Sequence, residues 1–398
     1  MKLPLLPWAQ RPDFAALADA LDMAGGETRL VGGVVRDTLL GSAPDDIDLA
    51  TRFKPEEVIA RLKAADIKSV PTGLAHGTVT AVLPSGPIEV TTLRRDVSTD
   101  GRHATVDFTR DWRDDAARRD FTINALYADY PGADVHDYFD GLADLSAGIV
   151  RFIGDPYRRI AEDHLRILRF FRFHARFGDV PDAEGLAACT ARARDLMALS
   201  RERIASELLR LLVARRAAAV VALMVEHGIF APVLPEIDEA GATRMARLAT
   251  LEAGAGVAPH AIRRLAALIP ADPAIAEQIG ARLKLSNVDR KRLISAVQPS
   301  EDVAPRALAY RLGTAWAIDR LLLAGHADLA SIKDWEPPRL PISGGAIVSR
   351  GVAQGPDVAR LLRQIEDQWI AEDFPDSARV EAIADALVDQ ALRASIKR

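Results

Sequence analysis

The sequence predicts an α+β protein: a small mixed α/β head at the N-terminal end, followed by a long all-helical remainder. Two observations carry this. From about Leu30 to Val150, short β-like runs alternate with helical ones. After Asp155-Pro156 the chain turns arginine-rich, then alanine- and leucine-rich, with 3.6-residue periodicity and few β-like runs. At 398 residues, two or more domains are expected.

Within the head, Thr28-Arg29-Leu30-Val31 reads as a strand running into Gly32-Gly33, and Val34 to Leu40 as a helix stopped by Gly41. Asp46 to Ala50 reads as a strand, and Lys54 to Ala65 as an amphipathic helix entered through Pro55. Gly77 to Leu83 and Ile88 to Leu93 read as strands joined across Pro84-Ser85-Gly86-Pro87. Between Asp96 and Ala104 the composition is polar, with Asp100-Gly101 as a turn signal, so a mobile excursion is expected there. In the helical remainder, Pro337 to Gly345 looks like a linker before a last pair of helices.

Composition excludes several classes. A single cysteine, Cys189, rules out a disulfide framework or thiolate metal site and suits a reducing cytoplasm. Its expected role is that of a small buried hydrophobe. The proline-cut N-terminus does not read as a signal peptide, and no run reaches the length of a membrane span, so no membrane partner is expected. The net charge of -5 argues against a generally basic surface, though not against a local basic stripe. Arg158 to Arg176 supplies one, with six arginines against Glu162 and Asp163. Arg201, Arg203, Arg210, Arg215 and Arg216 extend it, a composition fit for RNA held by shape and phosphates.

The chemistry begins at Asp46-Ile47-Asp48. On a strand, Ile47 and Leu49 point one way and the two aspartates the other. Paired carboxylates of this kind suit Mg²⁺, which takes one or two carboxylates plus substrate phosphates. The Gly32-Gly33 turn before a helix lets backbone N–H groups approach a phosphate, and Arg36 in the first turn is placed to reach the same anion. A phosphate-cradling turn followed by a carboxylate pair points to a nucleoside triphosphate. Glu89, on the later strand, stands where a third carboxylate could join the pair.

Further on, Arg118-Arg119-Asp120-Phe121-Thr122-Ile123-Asn124-Ala125 offers Arg119 as a forked phosphate donor and Asp120 as an acceptor for ribose hydroxyls, with Asn124 supporting the sugar or the turn. In Glu162-Asp163-His164-Leu165-Arg166, Asp163 and Arg166 stand i, i+3 and would share a helix face. An acid and a guanidinium side by side can read cytosine, or adenine with a shift, without a template. Arg169 and Arg172 continue that row toward phosphate, while Ile160, Leu168 and Phe171 form the buried stripe. No histidine shows metal spacing.

Gly-Gly-x-x-Arg-Asp followed by Asp-x-Asp, with the Arg-Arg-Asp and Glu-Asp-x-x-Arg segments, resembles the class II tRNA nucleotidyltransferase and bacterial poly(A) polymerase family, with specific motifs over residues 28–240. The resemblance implies a DNA polymerase β-like head at 1–152, a helical neck with nucleobase recognition at 153–216, a body at 217–336 and an RNA-binding tail at 337–398. It implies Asp46 and Asp48 as catalytic Mg²⁺ ligands, and Gly33, Arg36, Arg119, Asp120, Asp163, Arg166, Arg169 and Arg172 as nucleotide-binding residues. Arg201-Glu202-Arg203-Ile204 through Glu207 resembles a further motif, a helix start that buttresses the nucleotide pocket. The implied activity is addition of CMP and AMP from CTP and ATP to the 3′ end of tRNA, with release of pyrophosphate. Poly(A) synthesis on the same fold is the nearest alternative. A non-catalytic RNA-binding module is another, against which the intact Asp46, Asp48, Asp163 and Arg166 speak. In this resemblance, Asp96 to Ala104 corresponds to the flexible loop of enzymes that add the full CCA. Oligomeric state is left open.

Overall fold

The computed structural model describes residues 1–4, 7–44, 46–100, 103–299 and 304–396, with side chains from 96 to 106 outside that description. Contacts divide the chain into two compact units, Met1–Ala242 and Thr243–Arg398.

The first unit opens with α1 (Pro12–Ala20), β1 (Thr28–Val31), α2 (Gly33–Leu39), β2 (Asp48–Thr51) and α3 (Pro55–Ala64). Then come β3 (Lys68–Gly73), β4 (Thr78–Leu83), β5 (Gly86–Thr92), β6 (Arg94–Asp100), β7 (His103–Phe108) and α4 (Trp112–Ala117). The head closes with β8 (Leu126–Ala128), β9 (Val135–Asp137) and α5 (Gly141–Ala147). Seven strands form one sheet in the order β3-β4-β5-β2-β1-β8-β9, while β6 and β7 form a separate antiparallel pair. Within the large sheet β2 and β5 run parallel, in register Asp48 to Glu89, and the other pairings are antiparallel. One core joins α1, α2 and α3 to the sheet through Phe14, Leu17, Val34, Val35, Leu49, Val58, Leu62, Val79 and Val90. Alternation places Leu49 in that core and leaves its neighbour Asp48 on the other face.

Four helices carry the arginine-rich segment: α6 (Pro156–Glu162), α7 (Leu165–Phe177), α8 (Ala183–Ala191) and α9 (Arg201–Leu212). They are followed by α10 (Ala217–Glu226). Ile160, Leu168 and Phe171 are buried as the periodicity predicts, and Cys189 is fully buried, its thiol pKa raised by burial.

The second unit is helical. The division falls within α11 (Glu239–Gly254), and α12 (Ala261–Leu268), α13 (Pro273–Arg282), α14 (Asn287–Ala296), α15 (Pro305–Leu312), α16 (Thr314–Leu323) and α17 (Ala330–Lys333) follow. The expected linker lacks regular secondary structure only through Ser343. Beyond it α18 (Gly344–Val348), α19 (Pro356–Ala371) and α20 (Ser377–Ile396) pack around Trp369, Leu361, Ile365, Val380 and Ile383. No helix of the described residues is long and apolar enough to cross a membrane.

Three expectations change. First, β2 begins at Asp48, so Asp46 is an exposed residue of the approach to the strand rather than part of it. Asp45 before it lies outside the described residues. Second, the helix expected to carry both Asp163 and Arg166 is broken between them. Asp163 adopts extended dihedrals (φ −151°, ψ 106°) at the end of α6, and its carboxylate accepts the Leu165 N–H at 3.1 Å at the start of α7. A short acidic side chain competes for backbone N–H groups in this way, ending one helix and starting the next. Third, the excursion after Leu93 is an antiparallel hairpin, with Arg94 opposite Phe108; its tip at 101–102 lies outside the described residues.

Candidate active site

The site is built where β1 turns into α2, beside β2 and β5. Gly32 has φ +72°, which favours glycine, and a Cβ there would stand 3.4 Å from the Asn124 carbonyl oxygen and 3.5 Å from Arg119 Nη1. The turn and the Arg-Arg-Asp segment, far apart in the chain, are therefore in direct apposition.

On the β2–β5 side, Asp48 and Glu89 are register neighbours on parallel strands, and Asp46 stands just before. Burial first, then the charges of Glu89 and Asp46, push the Asp48 carboxyl up to about 6, with Arg119 working in the opposite direction. Among the described residues no arginine, lysine or histidine forms a salt bridge with these three acids. Glu89 is adjacent to Asp48 by register.

The predicted arginines are differently placed. Arg36 is 5 % exposed, and its guanidinium lies beside the turn, with Nη2 3.6 Å from where a Cβ on Gly33 would stand. Its guanidinium donates to Asp37 Oδ1 at 2.8 Å and to Asn124 Oδ1, and lies 4.1 Å over the Phe177 ring. Asn124 in turn donates to Asp120 Oδ1 at 3.0 Å. The other oxygen of Asp120 accepts two bonds from Arg169, at 2.8 and 2.5 Å. Burial opposes charge on Asp120, but Arg169 and Asn124 hold its pKa below the ordinary carboxylate value. Glu207 of α9, 5 % exposed, accepts from Arg172 Nε at 2.5 Å and lies 3.9 Å from Arg169. Arg36, Asn124, Asp120, Arg169, Glu207 and Arg172 thus form one continuous network joining the head to α7 and α9.

Asp163 and Arg166 do not pair. Asp163 accepts from Arg203 Nη2 at 2.8 Å, and Arg166 donates to Glu162 Oε2 at 2.5 Å and to the Arg159 carbonyl at 2.9 Å. Arg166 and Arg159 also reach the last carbonyls of the α4 region, Arg118 and Ala117, which satisfies orphan acceptors at a helix end. His164 Nδ1 donates to the Ile160 carbonyl at 2.9 Å.

Two residues of this site escape the sequence reading. Asp115 and Tyr127 are both buried; Tyr127 donates to Asp115 Oδ2 at 2.6 Å and accepts from Arg119 Nε at 3.2 Å. The signal for Asp115 lay in its i, i+3 and i, i+4 spacing to Arg118 and Arg119. Tyr127 carried none.

Residues 28–151 match the family described as the poly A polymerase head domain, and residues 181–240 match a probable RNA and SrmB-binding site of polymerase A. The chain is 36% identical over 364 residues to the CCA tRNA nucleotidyltransferase 1, mitochondrial, of Mus musculus, covering 86% of this chain and 82% of that one. It is 31% identical over 389 residues to the CCA-adding enzyme of Levilactobacillus brevis, covering 92% and 95%. In fold it resembles the Bacillus stearothermophilus CCA-adding enzyme solved in complex with CTP, with a TM-score of 0.71 at 23% identity over 98% of this chain and 100% of that one. Coverage and identity of this extent show that the chain belongs to the CCA tRNA nucleotidyltransferases, the CCA-adding enzymes.

Proposed function

We propose that this chain adds CMP and AMP to the 3′ end of tRNA without a nucleic-acid template. The RNA 3′-hydroxyl attacks the α-phosphate of CTP or ATP, and pyrophosphate leaves. The observation that carries this is the acidic edge of Asp48 and Glu89, with Asp46 beside it, next to the Gly32 turn and Arg119. The donors there are all oxygens, and Asp48 bears a charge that its own surroundings disfavour. Both features fit Mg²⁺ on Asp46 and Asp48. When bound, Mg²⁺ would neutralise charge on the triphosphate and lower the cost of deprotonating the hydroxyl.

The chain's own residues supply placement. The Gly32-Gly33 turn receives phosphate, Arg119 adds a forked donor, and Asp120, steadied by Arg169 and Asn124, accepts from the ribose. Asp163 and Arg166 are assigned to the base, which requires each to release its present partner, Arg203 and Glu162. Arg36 and Arg172, which also belong to the Asp120–Glu207 network, are assigned to the nucleotide with Arg169. The head is assigned to residues 1–152, the neck to 153–216, the body to 217–336 and the RNA-binding tail to 337–398. A cytoplasmic setting agrees with the lone buried thiol.

The test offers CTP and ATP, separately and together, with tRNA lacking its terminal nucleotides. Two C residues and one A, in that order and no more, support the reading. Long A tracts from ATP alone would replace it with poly(A) synthesis. RNA binding without incorporation would leave only a binding module.

A further inference from the structure

Asp115 lies on α4 and is 1 % exposed. A carboxylate at that depth is strongly disfavoured unless charge and hydrogen bonds surround it. Here both oxygens are filled. Oδ1 accepts from Arg118 Nη2 at 2.7 Å, Arg118 Nε at 3.0 Å and the Arg94 backbone N–H at 3.2 Å. Oδ2 accepts from Tyr127 at 2.6 Å and from Arg119 Nη2 at 3.2 Å. Burial alone would raise its pKa, yet the Arg119 and Arg118 charges and the Tyr127 bond bring it down to about 2. It is an anion throughout the working pH range.

The groups it gathers belong to different parts of the site. Arg119 stands against the Gly32 turn and acts on Asp48. Arg118 lends its carbonyl to Arg166. Arg94 opens the β6–β7 hairpin. Tyr127 sits on β8, in register with Val31 just before the glycine turn.

We infer that Asp115 is a positioning residue for nucleotide transfer, a buried anion that holds the Arg118 and Arg119 guanidiniums and the root of the hairpin in one frame. This rests on the nucleotidyl-transfer reading of the site. Its consequence is kinetic. Without the anion, Arg119 has Asp48 as the nearby carboxylate that acts on it, and the triphosphate loses a donor held in place beforehand.

The test is Asp115→Asn, which keeps the shape and removes the charge. The KM for CTP and ATP should rise about tenfold, the size of one lost charge-assisted hydrogen bond, while the KM for tRNA changes less than about twofold. A purely structural role would instead lower active enzyme in step with the folded fraction, leaving both KM values alone; that result overturns the proposal. Should Asp115→Asn fail to fold, Tyr127→Phe deletes a single bond to the same carboxylate. It should raise the nucleotide KM about threefold, a fraction of one hydrogen bond, and an unchanged value also overturns the proposal. A wild-type chain that adds nothing to tRNA lacking its CCA end would bring down the transfer reading itself. An active wild type matched by its Asp115→Asn variant would bring down only the positioning role.

Discussion

Two acidic regions of the first unit are treated in opposite ways. Around Asp120 and Glu207, each carboxylate is met by arginine: Asp120 by Arg169, Glu207 by Arg172. Around Asp48, Glu89 and Asp46, no salt bridge forms among the described residues, and Asp48 is pushed up to about 6. The first region is finished by folding. The second is left electrostatically incomplete, and an incomplete carboxylate edge is what a cation and a triphosphate complete. The difference separates a charge network that folding completes from a carboxylate edge that it does not.

Breaking the incomplete side should show the largest effect on chemistry. Asp48→Ala should cost about a thousandfold or more in nucleotide incorporation, the scale of several kcal/mol of lost charge stabilisation. Its thermal midpoint should hold or rise, because removing Asp48 relieves repulsion from Glu89. A variant that retained near wild-type turnover in Mg²⁺ would return Asp48 to an ordinary strand residue.

Breaking the finished side should do the reverse. Glu207→Ala leaves Arg172 without its carboxylate partner in a largely buried position, and about 3 kcal/mol of stability should be lost. Denaturant unfolding measures it. If Glu207→Ala were as stable as the wild type, the network would not be a structural frame.

Two smaller effects sharpen the boundary between the regions. Shortening the hairpin between Val97 and Ala104 should spare C addition and slow the terminal A by up to about a hundredfold, the cost of an ångström-scale misplacement. Product length on tRNA ending before the CCA reads this directly, and equal loss of C and A would make the hairpin a general support. Asp163→Ala removes the partner of Arg203 and the acceptor assigned to the base. Discrimination against UTP and GTP should fall about tenfold, one charged hydrogen bond's worth. Unchanged selectivity with lower stability would show Asp163 to be only the ion-pair partner of Arg203.

The sequence by itself determined the elements whose signals are local. Alternation places Leu49 inward and Asp48 on the other face, Gly32 marks a turn whose φ of +72° favours glycine, and Leu168 and Phe171, three apart on α7, are buried by helical period. Motif spacing likewise named the segments that meet at the site. The partners of the charged side chains were beyond it. Nothing local says that Arg36 turns inward to Asn124, 88 residues away, or that Arg169 crosses to Asp120. An i, i+3 rule joined Asp163 to Arg166, but it presumes an unbroken helix, and the chain breaks at Asp163 itself. A guanidinium pairs with the carboxylate that the fold brings closest in the driest surroundings. That choice is made by packing, since burial makes an unpaired charge too costly to keep and so rewards whichever partner the tertiary structure supplies.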